Sequence, residues 1–253
     1  MEKTAFRVLS PTAILGYGFP EESFRRGMDE NPDLIAVDAG STDPGPYYLG
    51  SGKSFTSRSA VKRDLDLMLR AAVEHSIPLV IGSAGGAGAR SHVAWSVEVI
   101  RELASEHRLR FPMAVVYADV EKEDVFRAFE KGRVRALPPA PEILTRDIEQ
   151  CTAIVAQMGA QPVLQAIESG FQIILCGRCY DPIPFAAHAI KLGYDPGLAL
   201  DMGKILECAA IAASSGSGRD CVMGTLYEDC FELQSLNPAR RFTRISTAAH
   251  SPL

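Results

Sequence analysis

Residues 77–92, IPLVIGSAGGAGARSH, decide the fold class of this 253-residue chain. The segment opens with an apolar run, turns through four glycines and then enters an amphipathic stretch. An apolar run that does not alternate with polar residues is typical of a strand buried on both faces, as in a parallel sheet. The stretch therefore predicts a strand, a tight turn and a helix in succession.

The same pattern recurs along the chain. The predicted strands are Phe6–Leu15, Leu34–Asp38, Ile77–Ile81, Met113–Tyr117 and Phe171–Cys176. Two sets of apolar residues between them have helical spacing: Val61, Leu65, Met68 and Ala72, then Val93, Val97, Ile100 and Ala104. Alternating strands and helices imply βαβ units with right-handed crossovers. We therefore predict an α/β fold with a mostly parallel, doubly wound sheet and helices on both faces.

Two further helices are predicted in the second half of the chain. One starts near Thr145 and stops at Gly159, and the other has Pro162 in its first turn and ends at Gly170. Proline is favoured in the first turn of a helix, and glycine is favoured just after its end.

The chain ends with a predicted β-hairpin of Val222–Leu226 and Phe231–Leu236. The segment ALPPAPEIL at 136–144 interrupts the alternation of strands and helices. We interpret it as a crossover between two halves of one sheet, because neither flank has a disordered composition. Residues 1–253 are therefore predicted to form a single α/β domain.

Composition excludes several classes of protein. The chain is 47% hydrophobic and carries a formal net charge of -5, which argues against disorder and against broad nucleic-acid binding. No run of residues is long and apolar enough to predict a membrane span, and the N-terminus predicts a strand and not a signal peptide. Six cysteines in a chain of this size do not suggest a disulfide scaffold. A reduced, cytoplasmic protein is expected.

Polar and glycine-rich residues follow each predicted strand of the sheet. These loops are 16–18, 38–46, 82–92, 117–119 and 176–182. The carboxyl ends of parallel strands meet at one edge of a sheet, which is where ligands bind. The sequence therefore predicts a ligand site at this edge.

The glycine-rich loop after the third strand is a candidate cradle for an anion or a carbonyl oxygen. The backbone N–H groups of Gly85 and Gly86 and the hydroxyl of Ser83 would bind it, beside the positive N-terminal end of a helix. The spacing matches neither the dinucleotide fingerprint nor a Walker loop. The alternative is a tight turn that packs the helix against the strand.

The loop after the second strand supplies a candidate general base. Asp38 ends an apolar run, and burial would raise the pKa of its carboxyl group toward the range that suits a base. Downstream, Lys53 and Arg58 are candidate anion-binding residues. The alternative interpretation is that Asp38 only caps a turn and that the two cations lie in a solvated loop.

The fifth loop contains Arg178, Tyr180 and Asp181. Arginine offers a rigid fork for a carboxylate or a phosphate, whereas tyrosine and aspartate exchange protons. The alternative is an Arg178–Asp181 pair that only holds the loop. Cys176 and Cys179 form a single C-x-x-C, and neither a second pair nor a nearby histidine supports a metal or redox site.

A magnesium ion is a minor alternative at this edge. Asp38, Asp43 and Asp119 would hold Mg²⁺ if their carboxylates converge, because hard cations prefer oxygen ligands. The five histidines have no metal-ligand spacing, and His92 alone is placed near the edge.

Several longer motifs resemble one protein family. They are GSAGGAGA, PPAPEIL, TRDIEQCTAIVAQMG, CGRCYDP, DPGLALDMGKILECAAIA and NPARR. From about Ala36 to Arg241 the chain resembles the AtuA-like family, named for acyclic terpene utilisation. The resemblance implies catabolism of branched acids as coenzyme A thioesters, and a small companion subunit. Family members are often longer, which implies that a C-terminal part is absent from this chain.

The residues and the resemblance together favour an enzyme, either a lyase or hydratase or an isomerase, that acts on a small acidic substrate or an acyl-CoA thioester. Proton transfer next to a carbonyl needs a base of raised pKa and donors for the enolate oxygen. Asp38 or Asp181 would be the base and Tyr180 the acid.

Two alternatives remain. One is a non-catalytic ligand-binding or assembly subunit, whose loops would lie far apart or be completed by a partner chain. The other is a hydrolase with Ser83 as nucleophile, although the chain lacks the G-x-S-x-G elbow. A homo-oligomer is expected in either case.

Overall fold

The computed structural model describes residues 5–250, and these form an α/β fold around one seven-stranded sheet. The strands are β1 Phe6–Ser10, β2 Leu34–Asp38, β3 Leu79–Gly82, β4 Met113–Val116, β5 Ile173–Cys176, β6 Val222–Leu226 and β7 Phe231–Ser235. Their order across the sheet is β4-β5-β3-β2-β1-β6-β7. The first five are parallel, and β6 and β7 form the antiparallel hairpin at one edge. The predicted fold class and the C-terminal hairpin are confirmed.

Helices fill the connections between the strands. Their bounds are α1 Glu21–Asp29, α2 Tyr47–Ser51, α3 Arg58–His75, α4 Arg90–Glu106, α5 Lys122–Glu130, α6 Thr145–Gln150, α7 Ala160–Glu168, α8 Ile183–Lys191, α9 Pro196–Leu206 and α10 Arg244–His250, with a 3₁₀ turn at Ala209–Ala212. None of the helices in residues 5–250 is long and apolar enough to cross a membrane.

The core lies on both faces of the sheet. One apolar cluster joins α1, α3 and α4 to β1, β2 and β3, and Leu65 and Met68 of α3 are fully buried in it. The other cluster joins α7, α8 and α9 to the opposite face, with Phe185 fully buried. Chain direction explains this division. The first helices cross the sheet from β1 toward β4, and the later helices return from β5 to β6, so that right-handed crossovers place them on opposite faces.

Two predicted elements are longer than the structure allows. The first strand ends at Ser10 and not at Leu15, because the chain turns there and the Leu15 N–H donates to the Asp38 carbonyl. The helix that starts at Thr145 ends at Gln150, well before Gly159. After Gln150 the chain becomes extended and pairs with residues 118–120, which removes it from the helical path.

Residues 118–156 form an excursion between β4 and β5. The Val120 N–H donates to the Ile154 carbonyl and the Ala156 N–H to the Ala118 carbonyl, so two extended segments close its base. Its helices α5 and α6 pack against each other. The segment predicted as a crossover, 136–144, lies inside this excursion as an irregular loop.

The loops at the carboxyl edge of the sheet pack backbone against backbone. A Cβ atom on Gly40 would lie 1.9 Å from the Gly86 carbonyl oxygen, and one on Gly88 would lie 2.0 Å from the Arg178 nitrogen. Such approaches are closer than any side chain permits, so the loops after β2, β3 and β5 require glycine where they touch.

The two remaining loops join the same edge. A Cβ atom on Gly177 would lie 2.8 Å from the Ala118 nitrogen, which places the loop after β4 against the loop after β5. The Leu15 N–H donates to the Asp38 carbonyl at 2.9 Å and brings in the loop after β1. All five predicted loops are therefore in contact with a neighbour.

Replacing Gly88 with alanine should destabilise the protein far more than replacing Gly132. Both glycines have positive φ angles, +71° and +66°, so each substitution carries a left-handed penalty of about 1–2 kcal/mol. Gly132 has open space around the added methyl group, whereas Gly88 meets the Arg178 backbone. Overpacking should therefore lower the free energy of unfolding of Gly88→Ala by a further ~1–3 kcal/mol, which urea unfolding measures. Equal losses in the two variants would show that the loops do not depend on this contact.

Candidate active site

Arg178 lies at the centre of the edge and carries a partly unpaired charge inside the protein. Its side chain is only 7% exposed, and its Nη2 atom donates to Asp181 Oδ1 at 2.6 Å. The buried Nε and Nη1 atoms have no hydrogen-bond partner. An unpaired buried donor of a charged group is costly, and an anion bound beside it would satisfy it.

A cavity of about 390 Å³ opens beside Arg178. Its lining residues come from four segments of the edge: Ser41, Thr42, Gly45, Pro46, Leu49, Ala87, Val155, Gln157 and Arg178. Apolar side chains form much of the wall, and hydroxyl groups and one cation supply the polar contacts. A volume of this size is typical of sites for small molecules.

Asp38 ends β2 and is 1% exposed. The Ala39 N–H donates to its Oδ1 atom at 3.0 Å. Burial, and after it the neighbouring charge of Asp181, raise the pKa of Asp38 from its usual 3.8 to about 8, while the charge of Arg178 opposes the shift. Asp38 therefore holds a proton at neutral pH and can exchange it near that pH.

Asp38 belongs to a cluster of three carboxyl groups. In the part of the chain that the structure describes, oxygen atoms of Asp38, Asp181 and Glu207 lie within 4.8 Å of one another. Glu207 reaches the edge because it follows α9, whose end is fixed where Ser10 Oγ donates to the Leu206 carbonyl at 2.6 Å. The cluster thus combines groups from three separate elements.

Three ion pairs balance this cluster. Arg178 pairs with Asp181, and Lys204 Nζ lies 2.6 Å from Glu207 Oε1 and 4.0 Å from Asp181 Oδ2. The remaining carboxyl group, that of Asp38, is neutral at pH 7 because of its raised pKa. The arrangement is that of a buried acid held between two paired carboxylates.

The three aspartates predicted for magnesium do not come together among residues 5–250. Asp43 is exposed in the loop after β2. Asp119 Oδ1 instead accepts the Arg90 N–H at 2.9 Å, so its carboxylate caps the N-terminus of α4. Sequence order placed all three after strands, but only the folded chain decides which way each carboxylate faces.

Groups of the protein itself fill most of the positions of the glycine-rich loop where an anion was predicted to bind. The Gly86 N–H donates to the Ser83 carbonyl at 2.9 Å, and Asp119 takes the anion position at the start of α4. Ser83 is completely buried at a φ of +48°, with its hydroxyl 3.4 Å from both the N and the O of Cys179. Among the hydrogen bonds of residues 5–250, none has the Gly85 N–H as its donor. A buried Ser83 does not fit the exposed nucleophile of a hydrolase.

The other predicted anion-binding residues lie apart from Arg178. Lys53 is exposed, and its carbonyl accepts a hydrogen bond from His92 Nε2 at 3.0 Å. Arg58 pairs with Glu102, about three turns along α4 from Arg90. His92 is itself buried and holds the loop after β2 through two backbone carbonyls, those of Lys53 and Tyr48.

The remaining residues of the fifth loop differ in solvent exposure. Tyr180 is 45% exposed next to Asp181, whose side chain is 25% exposed. Cys176 and Cys179 are fully buried. A hydrogen bond from Cys176, together with burial, raises the pKa of Cys179, which keeps Cys179 a thiol.

Glu207 and Lys204 were not predicted as site residues. They lie in GLALDMGKILECAAIAA, at 197–213, the most specific of the family motifs. A lysine three residues before a glutamate at a helix end is also common on solvated surfaces, so the spacing gave no functional signal. The specificity of the motif was the signal that could have found them.

Comparison with known proteins gives one match. The family model described as acyclic terpene utilisation family protein AtuA matches residues 53–217, which include Arg178, Asp181 and Glu207. The match covers well over half of the chain, and the chain belongs to this family. Membership suggests a role in terpene or acyl catabolism. Neither the curated proteins nor the solved structures contain a match to the chain.

Asp38→Asn should change how stability depends on pH. Between about pH 4 and 8 folded Asp38 keeps a proton that the unfolded chain releases, so the free energy of unfolding falls as pH rises. One such group contributes up to about 1.4 kcal/mol per pH unit. The fall should be absent in Asp38→Asn and present in Asp201→Asn, an exposed control on α9. Urea unfolding across this pH range measures it, and parallel curves for wild type and Asp38→Asn would contradict the assignment.

Proposed function

We propose that this member of the acyclic terpene utilisation family is an enzyme of branched-acid or acyl-CoA catabolism. It binds a small carboxylate, or the acyl part of a coenzyme A thioester, and catalyses proton transfer beside the carbonyl group. The observation that carries the proposal is Arg178, a buried cation that lines a cavity and has two nitrogen atoms without a hydrogen-bond partner.

Binding would begin at Arg178. An oxygen of the substrate would accept from its Nε and Nη1 atoms, while Nη2 stays on Asp181. Leu49, Pro46 and Val155 would contact the apolar part of the substrate. A cavity of about 390 Å³ accommodates a small branched acyl group, so the nucleotide part of a thioester would lie outside it.

The proton transfer would use the carboxyl cluster. Asp181 is partly exposed and pairs with Arg178, which supports it as the group that would take a proton from a bound substrate. Asp38 belongs to the same carboxyl cluster, has a pKa of about 8 and can hold or return that proton. Tyr180 is accessible on the same loop and would serve as the acid toward the developing enolate, with the Gly85 N–H as a further donor.

A second candidate function is an assembly subunit completed by another chain. The excursion 118–156 favours it, because Leu137 is 83% exposed and Leu144 is 45% exposed there. Both a homo-oligomer and a small companion subunit would cover such residues. The contact among all five loops fits the enzyme better, since a non-catalytic subunit gives no reason for them to meet.

Arg178→Met should abolish ligand stabilisation. We would screen branched and unsaturated short carboxylic acids, their coenzyme A thioesters and coenzyme A alone by thermal shift. A ligand at ~100 times its dissociation constant adds about 2.7 kcal/mol to stability, and Arg178→Met should lose this gain. Arg178→Lys keeps the charge without the fork and should retain part of it.

The matched control is Arg133→Met, which removes an exposed arginine of the excursion. It should bind as wild type does. Undiminished binding by Arg178→Met would refute the proposed anchor. Stabilisation by coenzyme A alone, equal to that by its thioesters, would show that the cavity does not recognise the acyl part.

A further inference from the structure

The carboxyl cluster has a solvent-facing side that is separate from Arg178. Asp38 is 1% exposed, the Glu207 side chain is 12% exposed, and the Lys204 side chain is 52% exposed. Lys204 and Glu207 are three residues apart at the end of α9, in an ion pair of 2.6 Å. Ionisable groups therefore form a continuous series from the protein interior to water.

We propose that Glu207, assisted by Lys204, carries protons between buried Asp38 and solvent. The role of this transfer in catalysis rests on the proposed function, because Asp38 must regain or lose its proton between turnovers. The proton transfer itself does not require a substrate. Carboxyl oxygens of Asp38 and Glu207 within 4.8 Å of each other permit transfer directly or through one water molecule.

Asp181 is the competing route, and its partner disfavours it. Asp181 pairs most closely with Arg178, at 2.6 Å, a buried guanidinium that cannot pass a proton on, whereas Lys204 Nζ lies 4.0 Å from the other oxygen of Asp181. Glu207 pairs with Lys204, which is half exposed, so water screens the pair and reaches it. A lysine ammonium also donates to a carboxylate from a flexible stem, which lets the pair open and close. Proton exchange through Glu207 would leave Arg178 and Asp181 free to hold the substrate.

The transfer is balanced without any further reactant. The O–H bond of Asp38 breaks, and an O–H bond forms on the Glu207 carboxylate. Glu207 then gives this proton to water, and its restored carboxylate pairs again with Lys204. The reverse sequence protonates Asp38.

Several charged or titratable groups surround this path. The groups that face Asp38 are Asp181, Arg178, Cys179 and Glu207. The groups that face Glu207 are Lys204, Cys208 and Asp181. Burial and the Glu207 charge raise the pKa of Cys208 above the physiological range, so its thiol does not compete for the proton.

Hydrogen–deuterium exchange of the Asp38 carboxyl group tests the proposal. The protein at pH 6 is mixed rapidly into deuterated buffer, and the shift of the protonated carboxyl band is followed by infrared spectroscopy. The band is assigned by its loss in Asp38→Asn, or by labelled aspartate should that variant not fold. Glu207→Gln should slow the exchange at least about tenfold, and Glu207→Asp should restore part of the rate.

Two controls separate a relay from a structural effect. Asp201→Asn, on the same helix, should exchange as wild type does, and the amide exchange of Ala39 should be unchanged in Glu207→Gln. If Glu207→Gln does not fold, Lys204→Met replaces it with the same expected slowing. An unchanged carboxyl exchange rate in the folded variant would overturn the proposal. No ligand is needed, so this result is distinct from a failure of Arg178 to bind a carboxylate.

Discussion

The ion pair between Arg178 and Asp181 is the interaction on which the arrangement of the edge depends. A guanidinium that is 7% exposed must be compensated inside the protein, and Asp181 supplies only part of that compensation. Its Nε and Nη1 atoms have no hydrogen-bond partner. The same pair modulates the pKa of Asp38: burial raises it most, the Asp181 carboxylate adds to the rise, and the Arg178 charge limits it.

Close contact between loops makes this pair possible. Gly88 lies against the Arg178 backbone, and Gly40 lies against Gly86, at separations that no side chain would allow. The glycine-rich loop is thus a tight turn that packs against the loop of Arg178, and its role as an anion cradle stays a prediction.

The three carboxyl groups show how one residue type takes different roles by environment. Asp181 and Glu207 each have a cation at 2.6 Å, whereas burial raises the pKa of Asp38 and keeps it protonated. Solvent exposure increases along the same series, from Asp38 at 1% through the Glu207 side chain at 12% to the Lys204 side chain at 52%.

Sequence alone determined the parallel α/β core, the hairpin of β6 and β7, and the set of loops that carry polar residues. Apolar periodicity and turn residues are local, and β2 at Leu34–Asp38 follows from them directly. The sequence also indicated Asp38, Arg178 and Asp181, because polar residues that end buried strands must meet at one edge.

Only the tertiary structure decided which of these side chains meet. Arg58 pairs with Glu102, and Asp119 accepts a hydrogen bond at the start of α4, while Glu207 joins Asp38 and Asp181 from the end of α9. The reason is physical: pairing of charges and desolvation of Asp38 depend on distances between elements far apart in the chain. Local patterns specify elements, but the packing of those elements determines which charges are buried together and which stay in water.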